Sequence, residues 1–333
     1  MSKTVVEREI GGRTLRFETG QVAKLAAGSV MAYYADTCVL ATCVRANPRP
    51  GIDFFPMQCD YREKTSAAGR FPGGFRKREG APNEKEILTM RMMDRPMRPL
   101  FPDGFIDEIQ IQAWVMSHDG QNDTDMLACT AASAALSITD APFEGPIATV
   151  RVGRITTDEG TQFVINPTQA QLDFSDLDLV LSGHCDGINM IEVGAAEVPD
   201  EDVLAAMKFG YEEGVLPMID LIKELREKRG APEPRMGDNV GPSEETMATV
   251  KDKVWDRLLE ARKIKGKQER NTAVGELREE VLHDCFSLPE NAPYAEYKAA
   301  EELRGHAKEA FRTLEKKATH MLVAEQGIRA GGR

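Results

Sequence analysis

The chain has 333 residues, of which 41% are hydrophobic and 29% are charged, and its formal net charge is −12. This composition is typical of a globular protein long enough for two domains, and it excludes a disordered chain. No apolar run reaches the roughly eighteen residues that a membrane-spanning helix needs, and the N-terminus has no apolar signal region.

The first elements in the chain are predicted strands. Residues 4–10 and 13–18 flank a Gly-Gly pair, which is typical of a hairpin with a two-residue turn. The pattern predicts further strands over 29–34, 37–45, 54–61 and 108–117. Trp114, Val115 and Met116 are expected to be buried, and a solvated surface position is favoured for Arg62 and Lys64.

A buried helix is predicted next. Asp123 is expected to cap it, and its residues 124–138 are rich in alanine, which permits close packing against a sheet. Strands are then predicted over 148–155, 161–166, 177–183 and 188–193, followed by a helical region over 200–228. Asp173, Asp176 and Asp178 form a carboxylate group that could bind magnesium, but turn chemistry and a solvated strand face are favoured.

The last part of the chain is predicted to be all-helical. Residues 230–242 hold three prolines and three glycines, which indicates a linker. Helices are predicted from Ser243 onward, over 272–285 and over 295–324, with apolar stripes at helical spacing. Lys263, Lys265 and Lys267 could touch RNA, although a solvated helix end is favoured.

The six cysteines are scattered, and none belongs to a Cys-x-x-Cys pair. Most lie in apolar contexts, which predicts free thiols in a reducing cytoplasm. The five histidines show no spacing typical of zinc ligands, so no zinc site is predicted.

The stretch Phe71–Phe105 is basic within an acidic protein. Between Arg70 and Arg98 there are eight basic and four acidic side chains, a local balance of +4. Residues 243–333 carry equal numbers of both signs, so the remainder of residues 1–242 carries −16. Such a charge distribution repels nucleic acid in general and directs a polyanion to one site.

The details of this stretch fit a phosphate-binding surface. A Gly73-Gly74 pair allows close approach of a ligand, and a run of three cations follows it. Asn83 with Glu86 predicts a capping-box start for a helix over 87–95, which Pro96 should end or kink. Arginine forks suit phosphate geometry. The alternative, that these arginines pair with nearby carboxylates on a solvated face, stays open at this point.

The segments FPGGF, KREG and EILTMRMMDRPMRPLFPDGF closely resemble the first core domain of the bacterial polynucleotide phosphorylase family. That family degrades RNA from its 3′ end with phosphate. The resemblance continues through the strand–helix pattern to about residue 228, through the helical segment, and to the final GIRAGGR. It implies an α+β fold, with an RNase PH-like (ribosomal protein S5 domain 2-like) βαβα core followed by a small all-α domain.

The resemblance implies a role for the basic stretch, because in the family the GGF-basic loop and the arginines after it face RNA. The RNA- and phosphate-binding residues expected from it are Phe75, Arg76, Lys77, Arg78, Arg91, Arg95 and Arg98. Two positions depart from the family. Arg76 stands where an aromatic or aliphatic residue is usual, and Ala81 stands where an arginine is common.

The resemblance also implies where the chemistry lies. In the family, phosphate attacks the terminal 3′ phosphodiester and nucleoside diphosphates are released, with Mg²⁺ as the cofactor. The second core of the family binds phosphate at a serine-rich helix start and holds the metal-binding aspartates. Here the matching turn contains Asp123 and Asp125, which would repel phosphate. No catalytic or metal-binding residue is therefore expected, and the chain alone is expected to be inactive.

The final GIRAGGR resembles the segment that opens the second core of the family, with Gly331 where Asp is usual. We therefore expect a fragment or truncated product, with a first core over 1–229, a linker over 230–242, a helical domain over 243–325 and a stub over 326–333.

The expected ligands are single-stranded RNA and inorganic phosphate. The parent enzyme is expected to be a homotrimer and to join an RNA-degradation complex. The expected location is the cytoplasm, with no membrane association. The alternative is a non-catalytic RNA-binding or ring-scaffold protein that ends naturally at Arg333.

Overall fold

The structure is a computed structural model that describes residues 3–49, 52, 54–157, 160–237, 241–289 and 291–329. The chain divides into two compact units, Met1–Asp238 and Asn239–Arg333. Each unit has a hydrophobic core of its own. The expectations for residues 238–240 of the linker, and for Gly331 with the other residues of 330–333, lie outside the described residues.

Two sheets form the frame of the first unit. In the described part of this unit the strands are β1 Thr4–Ile10, β2 Arg13–Thr19, β3 Gly28–Tyr34, β4 Thr37–Ala46, β5 Met57–Glu63, β6 Glu108–Ser117, β7 Ala148–Thr157, β8 Gly160–Ile165, β9 Ser175–His184 and β10 Gly187–Ala195. The first sheet has the order β1-β2-β3-β4-β6-β5 and the second has the order β10-β9-β7-β8. The predicted strands are thereby confirmed, although β5 begins at Met57 and not at residue 54.

Five α-helices accompany these sheets in the described residues. Their bounds are α1 Glu84–Met97, α2 Thr124–Ser137, α3 Gln169–Leu172, α4 Asp200–Phe209 and α5 Leu216–Arg229. The predicted break between α4 and α5 is a turn of π-helix, Gly210–Val215, so the helical path continues through it.

Helix α1 is the crossover that joins β5 to β6. These two strands are parallel, whereas the other neighbouring strands described in both sheets are antiparallel. Parallel neighbours require a crossover connection, which is usually helical. Helix α1 packs on β5, and the segment that leads into it, residues 64–83, therefore lies at the end of β5. The fold places the basic stretch at this connection.

Helix α2 lies at the centre of the first unit, as predicted. All fourteen of its residues are buried, and it contacts β3, β4 and β6 of one sheet and β7 of the other. Close packing depends on small side chains: a Cβ added at Gly28 of β3 would lie 2.0 Å from the carbonyl oxygen of Ala135.

The prediction that three consecutive residues of β6 are buried was wrong for two of them. Val115 is 2% exposed, but Trp114 and Met116 are 41% and 49% exposed. Successive side chains of a strand point to opposite faces of the sheet, so a run of three cannot all face one core.

The second unit is all-helical in its described residues. Its helices are α6 Glu244–Lys263, α7 Lys267–Asp284 and α8 Tyr294–Gln326. The hydroxyl of Ser243 accepts a hydrogen bond from the amide of Thr246 at 3.2 Å, which confirms the predicted helix start at Ser243. Val250, Val254 and Leu258 form the buried stripe of α6 within the core of this unit. None of the helices in the described part of either unit has the length and apolarity needed to cross a membrane.

Replacing Gly28 with alanine should test the close packing of α2 on β3. The new methyl group would collide with the backbone of α2, and overpacking of this kind costs about 1–3 kcal/mol. Urea unfolding should show this loss for Gly28→Ala. Gly73→Ala is the matched control, because nothing lies within 4 Å of its added Cβ. Equal stabilities of the two variants would contradict the packing described.

Candidate nucleic-acid interface

A buried carboxylate fixes the start of α1. The side chain of Glu86 is 5% exposed. Its two oxygens accept hydrogen bonds from the amides of Asn83, at 2.7 Å, and of Glu63, at 2.8 Å. The Asn83 side chain in return accepts from the Glu86 amide at 2.8 Å, which confirms the predicted capping box. Because Glu63 is the last residue of β5, this one carboxylate joins the end of β5 to the start of α1.

Arg62 ties the following loop to the same carboxylate. Its Nε lies 3.3 Å from Glu86 Oε1, and its Nη2 donates to the carbonyl of Gly80 at 2.8 Å. The surface role favoured for Arg62 was therefore wrong, because its side chain is 20% exposed and is held by contacts. Lys64 lies over the Trp114 ring, 5.0 Å from its centroid.

Glu79 makes a second tie at the base of the loop. It accepts hydrogen bonds from the amide and the hydroxyl of Thr65, at 3.0 and 2.8 Å. These bonds lower the pKa of Glu79. Thr65 begins a short 3₁₀ helix that ends at Ala68. Residues 70–78 are thus a loop whose two ends are held near the end of β5.

The tip of this loop, residues 70–78, is an exposed set of rings and cations. Phe71 is 94% exposed and Phe75 is fully exposed. Arg76, Lys77 and Arg78 are also exposed. Exposed phenylalanines cost free energy in water, so two of them beside unpaired cations indicate a binding surface. Rings and cations in one groove are the usual elements of a single-strand nucleic-acid site.

The arginines of α1 differ from one another. Arg91 is exposed. Arg95 contacts Glu192 at 3.3 Å, but both side chains are about 60% exposed, and such surface pairs contribute little. Arg98 is half-buried and is held by contacts within the first unit: it donates to both oxygens of Asp94, at 2.5 and 2.9 Å, and to the carbonyls of Phe55 and Met57. The hydrogen bond to Asp94 raises the pKa of Arg98.

All of the expected residues except Arg98 are therefore exposed on the connection between β5 and β6. Among the described residues no ion pair is formed by Arg70, Arg76, Lys77, Arg78 or Arg91. The predicted set omitted Arg70 and Phe71, although their position beside the glycine pair could have indicated them. The geometry of Arg98 favours a structural role, and its contact with RNA stays a prediction.

Three family models match consecutive parts of the chain. They are "3′ exoribonuclease family, domain 1" over residues 11–142, "3′ exoribonuclease family, domain 2" over 145–213, and "Polyribonucleotide nucleotidyltransferase, RNA binding domain" over 245–333. The chain belongs to the polyribonucleotide nucleotidyltransferase branch of the 3′ exoribonuclease family.

Relatives in this family are similar along most of the chain. A polyribonucleotide nucleotidyltransferase of Rhodopirellula baltica is 43% identical over 88% of this chain and 38% of its own length. One of Rhodopseudomonas palustris is 43% identical over 100% of this chain and 44% of its own length. The chain thus spans about two-fifths of the length of these relatives. Rice (Oryza sativa) Rrp46 has a TM-score of 0.48 and 12% identity, over 68% of this chain and 93% of its own.

The start of α2 has an ion cluster. It corresponds to the helix start at which the second core of the polyribonucleotide nucleotidyltransferase family is expected to bind phosphate. Arg151 lies 2.9 Å from Asp123, 3.3 Å from Asp125 and 3.0 Å from Asp178. Asp123 stands at the N-cap position but makes no capping hydrogen bond, because its carboxylate faces Arg151 and Gln169. Burial, followed by the nearby Asp125 carboxylate, raises the pKa of Asp123 to about 6.

Residues suited to Mg²⁺, the cofactor expected from the polyribonucleotide nucleotidyltransferase family, do not come together in the part of the chain that the structure describes. Mg²⁺ prefers an octahedral set of oxygen ligands. The carboxylates around Arg151 already surround a cation, and Asp176 is paired with Arg154. The arrangement agrees with the favoured interpretation of Asp176 and Asp178 as turn and strand-face residues.

Asp123 should make stability depend on pH in a specific direction. Because its pKa is raised in the folded state, between pH 3.8 and about 6 the folded chain holds a proton that the unfolded chain has released. Its contribution to stability therefore increases as pH falls through this window. Chemical unfolding between pH 4 and 8 should show this contribution in the wild type but not in Asp123→Asn.

The matched control is Asp178→Asn, which removes an exposed carboxylate from the same guanidinium. This variant should keep most of the pH dependence of the wild type, because burial and Asp125 raise the pKa of Asp123 more than Asp178 does. If wild type and Asp123→Asn gave parallel stability curves, the raised pKa would be contradicted.

Proposed function

We propose that this chain is the RNA-gripping part of a phosphate-dependent 3′-to-5′ exoribonuclease, a polyribonucleotide nucleotidyltransferase that releases nucleoside diphosphates in mRNA degradation. The observation that supports it best is the loop tip, which holds two exposed phenylalanines and four unpaired cations on a base fixed by Arg62, Glu79 and Glu86. The proposed reaction is inferred from the names of the relatives, which are polyribonucleotide nucleotidyltransferases.

The tip suits a single RNA strand because it offers two kinds of contact. Phe71 and Phe75 can stack on bases of any sequence, and each stacked base contributes about 1–3 kcal/mol. The cations of the tip, together with the exposed Arg91 of α1, can neutralise phosphates. Since the rest of the first 242 residues is strongly acidic, electrostatic steering would bring RNA to this face and to few others.

We assign grip, and not phosphate activation, to this part of the enzyme because of the cluster at α2. A helix N-terminus attracts anions through its free amides and its dipole. Here the carboxylates of Asp123 and Asp125 occupy that position with Arg151 between them. The cluster carries more negative than positive charge, so inorganic phosphate would be repelled. Phosphate and Mg²⁺ would bind parts of the longer relatives that this chain does not match.

We further propose that the parent enzyme is a homotrimer, that this part contributes to ring assembly, and that it works in the cytoplasm with an RNA-degradation complex. The cysteines of the described residues are free thiols, which suits a reducing compartment. The proposed division is a first core over 1–229, a linker over 230–242, a helical domain over 243–325 and a stub over 326–333. No observation on the described residues favours the alternative of a non-catalytic scaffold.

Neutralising the loop tip should lower both RNA affinity and its dependence on salt. In the triple variant Arg76→Ala, Lys77→Ala, Arg78→Ala, the slope of log affinity against log salt should fall by about 2, since each lost contact to a single strand removes about 0.7. Fluorescence anisotropy with a single-stranded oligonucleotide over a salt series measures this slope.

Two comparisons make the result specific. The triple variant Lys24→Ala, Lys208→Ala, Lys223→Ala removes the same charge from exposed positions on other elements of the first unit and should leave the slope nearly unchanged. Phe75→Leu removes stacking without changing charge, so its affinity should fall while the slope is kept. If the loop triple variant kept the wild-type slope, the assignment of the tip would fail.

A further inference from the structure

The turn between β9 and β10 gathers three metal-binding side chains. His184 ends β9, Gly187 begins β10, and Cys185 and Asp186 form the turn between them. The Cys185 sulfur lies 3.5 Å from His184 Nδ1 and 3.7 Å from Asp186 Oδ1, and His184 Nδ1 lies 3.3 Å from Asp186 Oδ2. Across the described ranges, no other group of three His, Cys, Asp or Glu residues converges in this way.

These separations are close to those between ligand atoms around one tetrahedral ion. Zinc bonds of about 2.3 Å to sulfur and about 2.0–2.1 Å to nitrogen and oxygen place neighbouring ligand atoms about 3.3–3.6 Å apart. The separations in the turn are 3.3, 3.5 and 3.7 Å, with His184 and Cys185 each facing a different oxygen of the Asp186 carboxylate. An ion could thus be received with small movements of the side chains.

The backbone of this turn is held by contacts from outside it. The hydroxyl of Tyr211 donates to the carbonyls of His184, at 2.9 Å, and of Cys185, at 3.0 Å. The ring of Tyr211 packs over Gly183, where an added Cβ would lie 3.1 Å from it. The imidazole of His184 is 17% exposed, whereas Asp186 is 89% exposed. The backbone that carries the three ligands is therefore held in advance, and the turn stays open to solvent.

We propose that His184, Cys185 and Asp186 form a binding site for a thiophilic divalent transition metal of the Zn²⁺ class. A ring nitrogen, a thiolate and a carboxylate would supply three ligands, and a water or a group from another molecule would fill the fourth position. The donor set is unsuited to Mg²⁺, which avoids sulfur. The site is separate from the loop tip and does not depend on the proposed RNA function.

Co²⁺ tests the site because a cobalt–thiolate bond gives a near-ultraviolet charge-transfer band. Titration of the intact protein should develop this band to an end point of one cobalt ion per chain, and Zn²⁺ should abolish it while Mg²⁺ should not. Cys185→Ser should remove the band. Cys185 is exposed, so the variant should keep its fold, which circular dichroism checks. His184→Asn should weaken cobalt binding at least tenfold.

The chain provides a matched control. His283, Asp284 and Cys285 are the same three residue types in consecutive positions, but their ligand atoms do not converge within the 4.8 Å that the turn satisfies. Cys285→Ser should therefore keep the full band. Absence of the band in the wild type, or an equal band in wild type and Cys185→Ser, would overturn the proposal.

Discussion

The buried Glu86 carboxylate is the interaction on which the candidate interface depends. Its oxygens accept from the amides of Asn83 and Glu63 and lie against the Arg62 guanidinium. Burying a carboxylate is costly unless its lone pairs are satisfied, and here two amides and a cation satisfy them. The same contacts join the end of β5, the loop and the start of α1. Without them the exposed rings and cations would have no fixed position.

A second polar network continues from this point to α2. The Glu63 side chain accepts from Lys85 at 2.8 Å and from Tyr61 at 2.7 Å, and Tyr61 also contacts Thr124 at the start of α2. Burial would raise the pKa of Glu63, but the hydrogen bonds from Lys85 and Tyr61 lower it on balance. The cations are thus divided between two roles. Those near α2 neutralise buried carboxylates, whereas those at the loop tip keep their charge available for a ligand.

Much of this arrangement could be predicted from local sequence rules. The capping box at Asn83, the hairpin around its glycine pair and the alanine-rich α2 follow from short-range chemistry, and each is confirmed. The partner of a charged side chain could not be predicted in this way. The sequence does not distinguish Arg62 and Arg98 from the exposed arginines. Only the fold shows that both side chains donate to backbone carbonyls of the first unit.

Whether a strand residue faces the core could also be predicted only in part from the sequence. Trp114 and Met116 are apolar, so composition favours burial, but the pleat places them on the face opposite to Val115.

The proposed metal-binding turn could not be predicted from the sequence for a related reason. Spacing rules look for ligands separated along an element, whereas consecutive residues converge only when a tight turn is held in one shape, as Tyr211 holds this one.

Photocrosslinking is the most direct test of the central claim that RNA binds the loop tip, residues 70–78. A single-stranded RNA that contains 4-thiouridine would be irradiated with the intact protein, and the crosslinked peptides would be mapped by mass spectrometry. The account predicts crosslinks concentrated in residues 70–78, chiefly at Phe71 and Phe75, because both rings are exposed. Crosslinks confined to other elements, with residues 70–78 unmodified, would contradict it.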